Sequence, residues 1–209
     1  MMPMFPLQSA PLPGDTVPLR IFEPRYSRMV QDCVAADEPV FGVVLISQGR
    51  EVGGGDIRSD VGVRVRIAEC VEEAPGHYQL IGVAQDRIRV TRWLPDDPYP
   101  IADTEPWPDE AGPPVGPERI GEVVDRILAL YRRVADAAGG TLRPDVLAVD
   151  SETADDPARH IYTLAARVPM GQADRYAVLS APTLAARVDA LLDAIETVTA
   201  MVEFQLSDE

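Results

Sequence analysis

A chain of 209 residues, 46% hydrophobic and 25% charged, has the composition of a globular protein that can bury a core without metal or disulfide staples. Its formal charge of −15 comes from 34 acids against 19 basic residues, and every basic residue is an arginine. That balance works against nucleic acid and anionic membranes as partners, and the lack of lysine removes every mechanism that needs an ε-amino group.

The N-terminal MMPMFPLQ lacks the basic flank and apolar core of a signal peptide, and no later apolar run is long enough to span a bilayer. The expected location is the cytoplasm. TVPLRIF (16–22) and VFGVVLIS (40–47) are rich in β-branched and apolar residues and read as strands. Between them, Tyr26, Met29, Val30, Cys33 and Val34 recur at helical spacing after Pro24 and before Pro39, which predicts one amphipathic helix. The joint PLRIFEPRY (18–26) then has Leu19 and Ile21 inward on a strand and Phe22 plugging the corner. Glu23 sits near the helix N-terminus, where the dipole favours it, and Arg25 is placed to pair with an acid from the sheet.

VRVRIAECV (63–71) alternates Val63, Val65 and Ile67 with Arg64, Arg66 and Ala68. After the Pro75-Gly76 turn, HYQLIGVAQDRIRVTRW (77–93) supplies a partner strand with a bend or bulge near Gly82 and leaves one face of the hairpin wet. Residues 95–117 are rich in proline, and the boundary between two parts falls there: 1–108 β-rich, 109–117 a linker, 118–209 helical. Pro117 opens a helix that Gly139-Gly140 stops. Asp155 or Asp156 caps another before Pro157, QADRYAVLS is a short piece, and a last helix runs from Leu184. Cys33 and Cys70, one in a helix pattern and one in a strand pattern, read as buried free thiols.

Little in the sequence has the spacing that catalysis or metal binding needs. The glycine-rich EVGGGDIR (51–58) has no P-loop lysine and reads as a loop between strands. No GxSxG surrounds a serine, His77 follows a turn, and His160 lies beside an apolar stripe. Asp96-Asp97 and Asp155-Asp156 read as turn and cap chemistry, and the cysteines and histidines form no metal-ligand pair. No residue is assigned a catalytic, cofactor or metal role. Arg64, Arg66, Arg87 and Arg89, with Arg92 beyond them, could form a ladder on one sheet face, either solvated or gripping a carboxylate-rich peptide or RNA.

PLRIFEPRY, GVRVRIAE and VPMGQADRYAVLSAPTLAAR occur in an order that resembles the N-terminal substrate-binding domain of Lon proteases over nearly the whole chain. The same resemblance covers Phe5-Pro6-Leu7, Pro13-Gly14, Glu51 to Gly54 with Val61-Gly62, and RVTRWLPDDPYPIADTE as a last strand and exit. Ala84 departs from it, where the family pattern has glycine and then an aromatic after the arginine. The resemblance implies an α+β fold, a PUA-like β pseudo-barrel with one helix followed by a helical bundle. It further implies a stand-alone, non-catalytic module that takes unfolded or flexible protein segments, with a separate protease as a further partner and no cofactor. On this reading Arg20, Glu23, Arg25, Arg64, Arg66, Arg87 and Arg89 are the candidate binding residues. The alternatives are an RNA-binding PUA-like protein and an enzyme with a site in the cleft between the two parts, using an acid such as Glu23.

Overall fold

The computed structural model describes residues 1–48, 57–143 and 145–207. The glycine-rich segment 51–56, with the Glu51 to Gly54 motif, lies outside the described residues. Two compact units divide the chain, Met1–Pro108 and Asp109–Glu209.

The first unit holds six strands and one helix: β1 (Met2–Leu7), β2 (Thr16–Ile21), α1 (Pro24–Ala35), β3 (Val40–Gln48), β4 (Ile57–Ala74), β5 (His77–Trp93) and β6 (Ile101–Pro106). The sheet order is β2-β5-β4-β3-β1-β6, and a further β5–β6 pairing joins the end of the row back to β5. β5 is 17 residues long, so one edge can serve two neighbours: its first half pairs with β2 and its second half with β6. The result is a closed ring of five strands with β2 as a sixth beside it, the pseudo-barrel expected from the motifs. All pairings are antiparallel except β1 with β3.

Within the ring, Met4, Val44, Ile88, Val90 and Ala102 form one buried cluster. Two glycines make room for it, since a side chain at Gly42 would meet Met4 Sδ at 2.5 Å and Ile88 Cδ1 at 2.9 Å. Gly62 lies against the backbone carbonyl of Val43. On α1 the buried residues are Tyr26, Ser27, Met29, Val30 and Cys33. Tyr26 stacks on Phe5 with ring centroids 4.1 Å apart. Val34, expected in that stripe, is 52% exposed, because Cys33 takes the inward position of the last turn, against Val40 O, and the next residue is rotated away from it. β1 and β6 carry little strand signal of their own, being short and containing prolines at positions 3, 6 and 106.

Cys33 is buried and Cys70 only partly so. Burial, with Asp32 adjoining, pushes the Cys33 thiol up to about 12. Tyr99 also rises to about 12, through burial first and then its hydrogen bond to Asp32 (3.0 Å). Both groups hold their protons more tightly folded than unfolded, so the unfolded chain loses protons first as pH rises. The contribution of these two groups is therefore expected to be level below about pH 9 and to fall from there towards pH 12. Urea midpoints at pH 8 and pH 10.5 measure this. Cys33→Ala should flatten the fall, and an unchanged slope would show that Cys33 does not contribute.

The second unit is helical: α2 (Pro117–Ala137), α3 (Ser151–Asp155), α4 (Pro157–Ala165), α5 (Gln172–Ser180) and α6 (Leu184–Ser207). Pro117 opens α2 at its first turn, and Asp156 caps α4 by accepting from the Ala158 and Arg159 amides. The one-turn α3, capped by Asp150, has no periodicity to announce it. Val123, Ile127 and Leu130 of α2 face a core with Ile161 and Leu164 of α4, Val178 and Leu179 of α5, and Val188, Leu191 and Ile195 of α6. Arg119 pairs with Asp189 at 2.5 Å and Arg133 with Glu203 at 3.2 Å, so α2 and α6 run parallel in a constant register.

The proline-rich entry to this unit is fastened to α6. Asp109 binds Arg187 through both guanidinium nitrogens, one bond being 3.1 Å. The Glu110 amide donates to Pro182 O at 2.8 Å. Arg187 is only 1% exposed, and its guanidinium lies 4.2 Å over the Tyr162 ring.

Candidate protein-binding face

The joint PLRIFEPRY builds as a strand entering a helix, with two differences from expectation. Arg25 pairs with Glu23 two residues away (Nε to Oε2, 3.1 Å) and lies 4.5 Å over the Tyr26 ring. Glu23 and Arg25 thus lock each other at the helix start. Phe22 does not plug the corner: it is 60% exposed, because the Phe5–Tyr26 stack already fills that space and the chain turns it outward.

The β4–β5 hairpin separates the arginines expected on one face. A regular ladder continued from the Ala74–His77 pair would set Arg64 opposite Arg87. Register shifts at Glu72/Ala74, Ile67/Glu69 and Val63/Val65 leave a net slip of one residue, so Val63 faces Arg87 and Val61 faces Arg89. A one-residue slip moves side chains to the opposite face. Arg64 and Arg66 therefore lie on one side of the sheet, Arg87 and Arg89 on the other. The bulge expected near Gly82 is present, with its extra residue on β4 at Ala68.

Each pair has its own surroundings. Arg87 and Arg89 hold Trp107 between guanidinium groups at 4.3 Å and 4.2 Å, and the Trp107 amide donates to Arg87 O. Arg87 is 5% exposed, which removes it from any open binding surface. Arg64 pairs with Glu38 at 2.8 Å, and Arg92, outside these pairs, with Asp103 at 2.7 Å. Arg20 and Arg66 are exposed, and their side chains form no ion pair or hydrogen bond with another described residue.

Arg20 and Arg66 share a face that the sequence reading did not single out. Across β2, β5 and β4 the register aligns three rows: Thr16–Val83–Arg66, Pro18–Ile81–Glu69 and Arg20–Gln79–Val71. Directly opposed residues project to the same side, and every member of these rows is exposed except the half-buried Val83. Phe22, one residue past β2, continues the Pro18–Arg20 side by the period of two. Val71 is 59% exposed and Ile81 38%. The reverse side carries Val17, Ile21 and Leu80, all buried. α1 braces the hairpin end through Ser27 Oγ to Gly76 O (2.5 Å) and Gln31 Nε2 to Tyr78 Oη (3.1 Å). The outer face is thus a braced surface with an apolar centre of Pro18, Ile81 and Val71 between two guanidinium groups without an ion-pair partner among the described residues, with Glu69 as its acid.

Edge pairing is handicapped on this side of the sheet. The Ala84 amide donates to Asp15 O, so alternation along β5 gives Val17, Leu19 and Ile21 the ladder bonds and turns the Pro18 backbone to the free edge. Pro18 has no N–H to offer there.

Residues 1–197 match the family described as the ATP-dependent protease La (LON) substrate-binding domain. The chain belongs to that family. Among solved structures, the Lon N-terminal domain protein from Xanthomonas campestris is 27% identical with a TM-score of 0.64, covering 92% of this chain and 96% of that one. The N-terminal domain of the Mycobacterium avium complex Lon protease aligns at a TM-score of 0.60 over 93% of this chain and 97% of its own, at 15% identity, and shows a shared fold. No curated protein matches the chain. Membership in the Lon substrate-binding family accords with the α+β pseudo-barrel and bundle described above, and the Ala84 departure falls beside the Val63/Val65 register shift.

The histidines are not part of any catalytic arrangement among the described residues. His77 is exposed, with Nδ1 3.2 Å from Pro75 O. Burial holds the His160 imidazole below its usual pKa, favouring its neutral form. No group of three or more metal-ligating side chains occurs among the described residues. Nor is any described helix long and apolar enough to cross a membrane.

Proposed function

We propose that this Lon-type domain binds extended segments of other proteins across the outer face of β2, β5 and β4, without catalysing a reaction on them. The observation that carries the reading is the exposure of Val71 and Ile81 together on a braced sheet face, with Phe22 exposed just past the end of β2, since apolar side chains gathered at a surface mark contact sites. Strand spacings put the Cα atoms of Arg20 and Arg66 about 16 Å apart, the reach of about five extended residues. A segment with an apolar centre and a carboxylate towards each end fits that frame. Pro18 favours contact by side chains over addition of a strand at the edge. Under this reading residues 1–209 supply the grip, and any cleavage of a bound segment belongs to a separate protease.

The RNA alternative loses its main support, because the arginines do not form one stripe and Arg87 is buried. Fluorescence anisotropy with labelled peptides and a reduced, carboxymethylated model protein tests the proposal. Saturable binding is expected, and Phe22→Ser or Ile81→Asp should each weaken it about tenfold or more, the loss of one apolar anchor. Thermal stability should move by no more than about 0.5 kcal/mol for Phe22→Ser, as for other surface changes, and fall by about 1–2 kcal/mol for Ile81→Asp, which faces Glu69 across the strand pair. Undiminished binding by both folded variants would exclude this face.

A further inference from the structure

In the helical unit a groove of about 430 Å³ runs between the parallel helices α2 and α6. Its floor is apolar, with Ala129 and Leu130 from α2 and Leu192, Ile195 and Ala200 from α6. Its two rims differ in sign. Arg126 and Arg133 line the α2 side, and Asp193, Glu196 and Glu203 the α6 side. Arg133 and Glu203 pair with each other within the chain, whereas Arg126 and Glu196 have no partner among the described residues. Near the ends of both helices Val134 (47%), Met201 (60%) and Phe204 (68%) are exposed, so apolar surface continues beyond the groove.

We propose that this groove is a self-association surface whose occupant is a second copy of the chain, related by a twofold axis parallel to α2 and α6. The charge pattern selects both the occupant and the axis. A twofold running along the helices lays the α2 of one copy over the α6 of the other at the same height. Arg119–Asp189 and Arg133–Glu203 share one sequence offset, and that offset places Arg126 level with Glu196. Each Arg126 then faces a Glu196 of the other copy, and the contact is made twice. A twofold across the helices would instead set α2 over α2 and α6 over α6, like charge on like. The two apolar floors close on each other within four ion-paired rims, an apolar centre with a polar edge.

Light scattering after size exclusion, on the whole chain at low-micromolar and sub-millimolar concentrations, should show mass rising from 22.7 kDa towards twice that value. Two charge-reversed variants sharpen the test. R126E/R133E makes both rims acidic and E196R/E203R makes both net basic, with Asp193 retained, so each alone should stay monomeric with a native circular dichroism spectrum. An equimolar mixture of the two should dimerise, because every rim then meets its opposite. A wild-type chain that stays monomeric throughout overturns the proposal. So does dimerisation by either variant alone, or a mixture that remains monomeric. A groove that instead takes a helical peptide one-to-one, with no dimer at any concentration, also overturns it.

Discussion

Asp109→Ala is expected to lower the stability of the helical unit by about 3–5 kcal/mol, the cost of stranding a buried charge. Arg187 is 1% exposed, and Asp109 is the only carboxylate seen on its guanidinium among the described residues. Alanine leaves that buried cation with the Tyr162 ring and no counter-charge. The reverse change is milder. Arg187→Met leaves behind Asp109, whose side chain is 27% exposed and can hydrate, while the methionine fills much of the arginine's volume. The double variant D109A/R187M should therefore be more stable than D109A alone, a coupling that a double-mutant cycle on thermal melts would measure. Loss of under about 1 kcal/mol in D109A would mean that the guanidinium finds water, contrary to its burial.

Gly62→Ala is the second large effect, and it should exceed Gly42→Ala although both glycines lie in the same barrel wall. At Gly62 a methyl group would run into the Val43 carbonyl and stand 2.7 Å from Val44 Cγ1. The first obstacle is backbone held in the β3–β4 ladder, so relief requires the two strands to part. At Gly42 the first obstacle is the thioether of Met4, which can change rotamer. The expected costs are about 3 kcal/mol for Gly62→Ala and about 1 kcal/mol for Gly42→Ala. Urea unfolding followed by circular dichroism compares them directly. Equal costs would show that the wall yields as readily at backbone as at side chain.

The elements were legible where one physical signal governed them. The α1 stripe apart from Val34, the Pro117 start of α2, a capping aspartate before Pro157 and the Pro75-Gly76 turn follow from helical period, capping and turn chemistry, and the structure has them, with Asp156 as the cap. The face of each arginine was not legible, because it depends on the parity of three ladder irregularities. No local pattern reports whether extra residues on two paired strands sum to an odd or an even number. The side chains of the proposed face failed for a different reason. Leu80 and Ile81 are both apolar, so one of them has to point outward, yet a strand pattern alone does not say which neighbour covers which side. Phe22 is the clearest case: large and aromatic, it was expected inside, and Phe5 with Tyr26 already occupied that volume. An apolar residue in excess of what the core can hold was the available signal.

Pro18 has a consequence for how long a captured segment stays. A strand zipped onto a sheet edge is held by a row of backbone bonds that must all break before it leaves, and such rows invite further strands until a fibre grows. With the middle donor of β2 missing, the edge offers no continuous row of bonds, so a segment lying over Ile81 and Val71 as proposed would be held mainly by side chains and would peel away one contact at a time. If the proposed face is the grip, release is built into it, and the same missing donor interrupts the row of backbone bonds by which neighbouring copies would stack edge to edge.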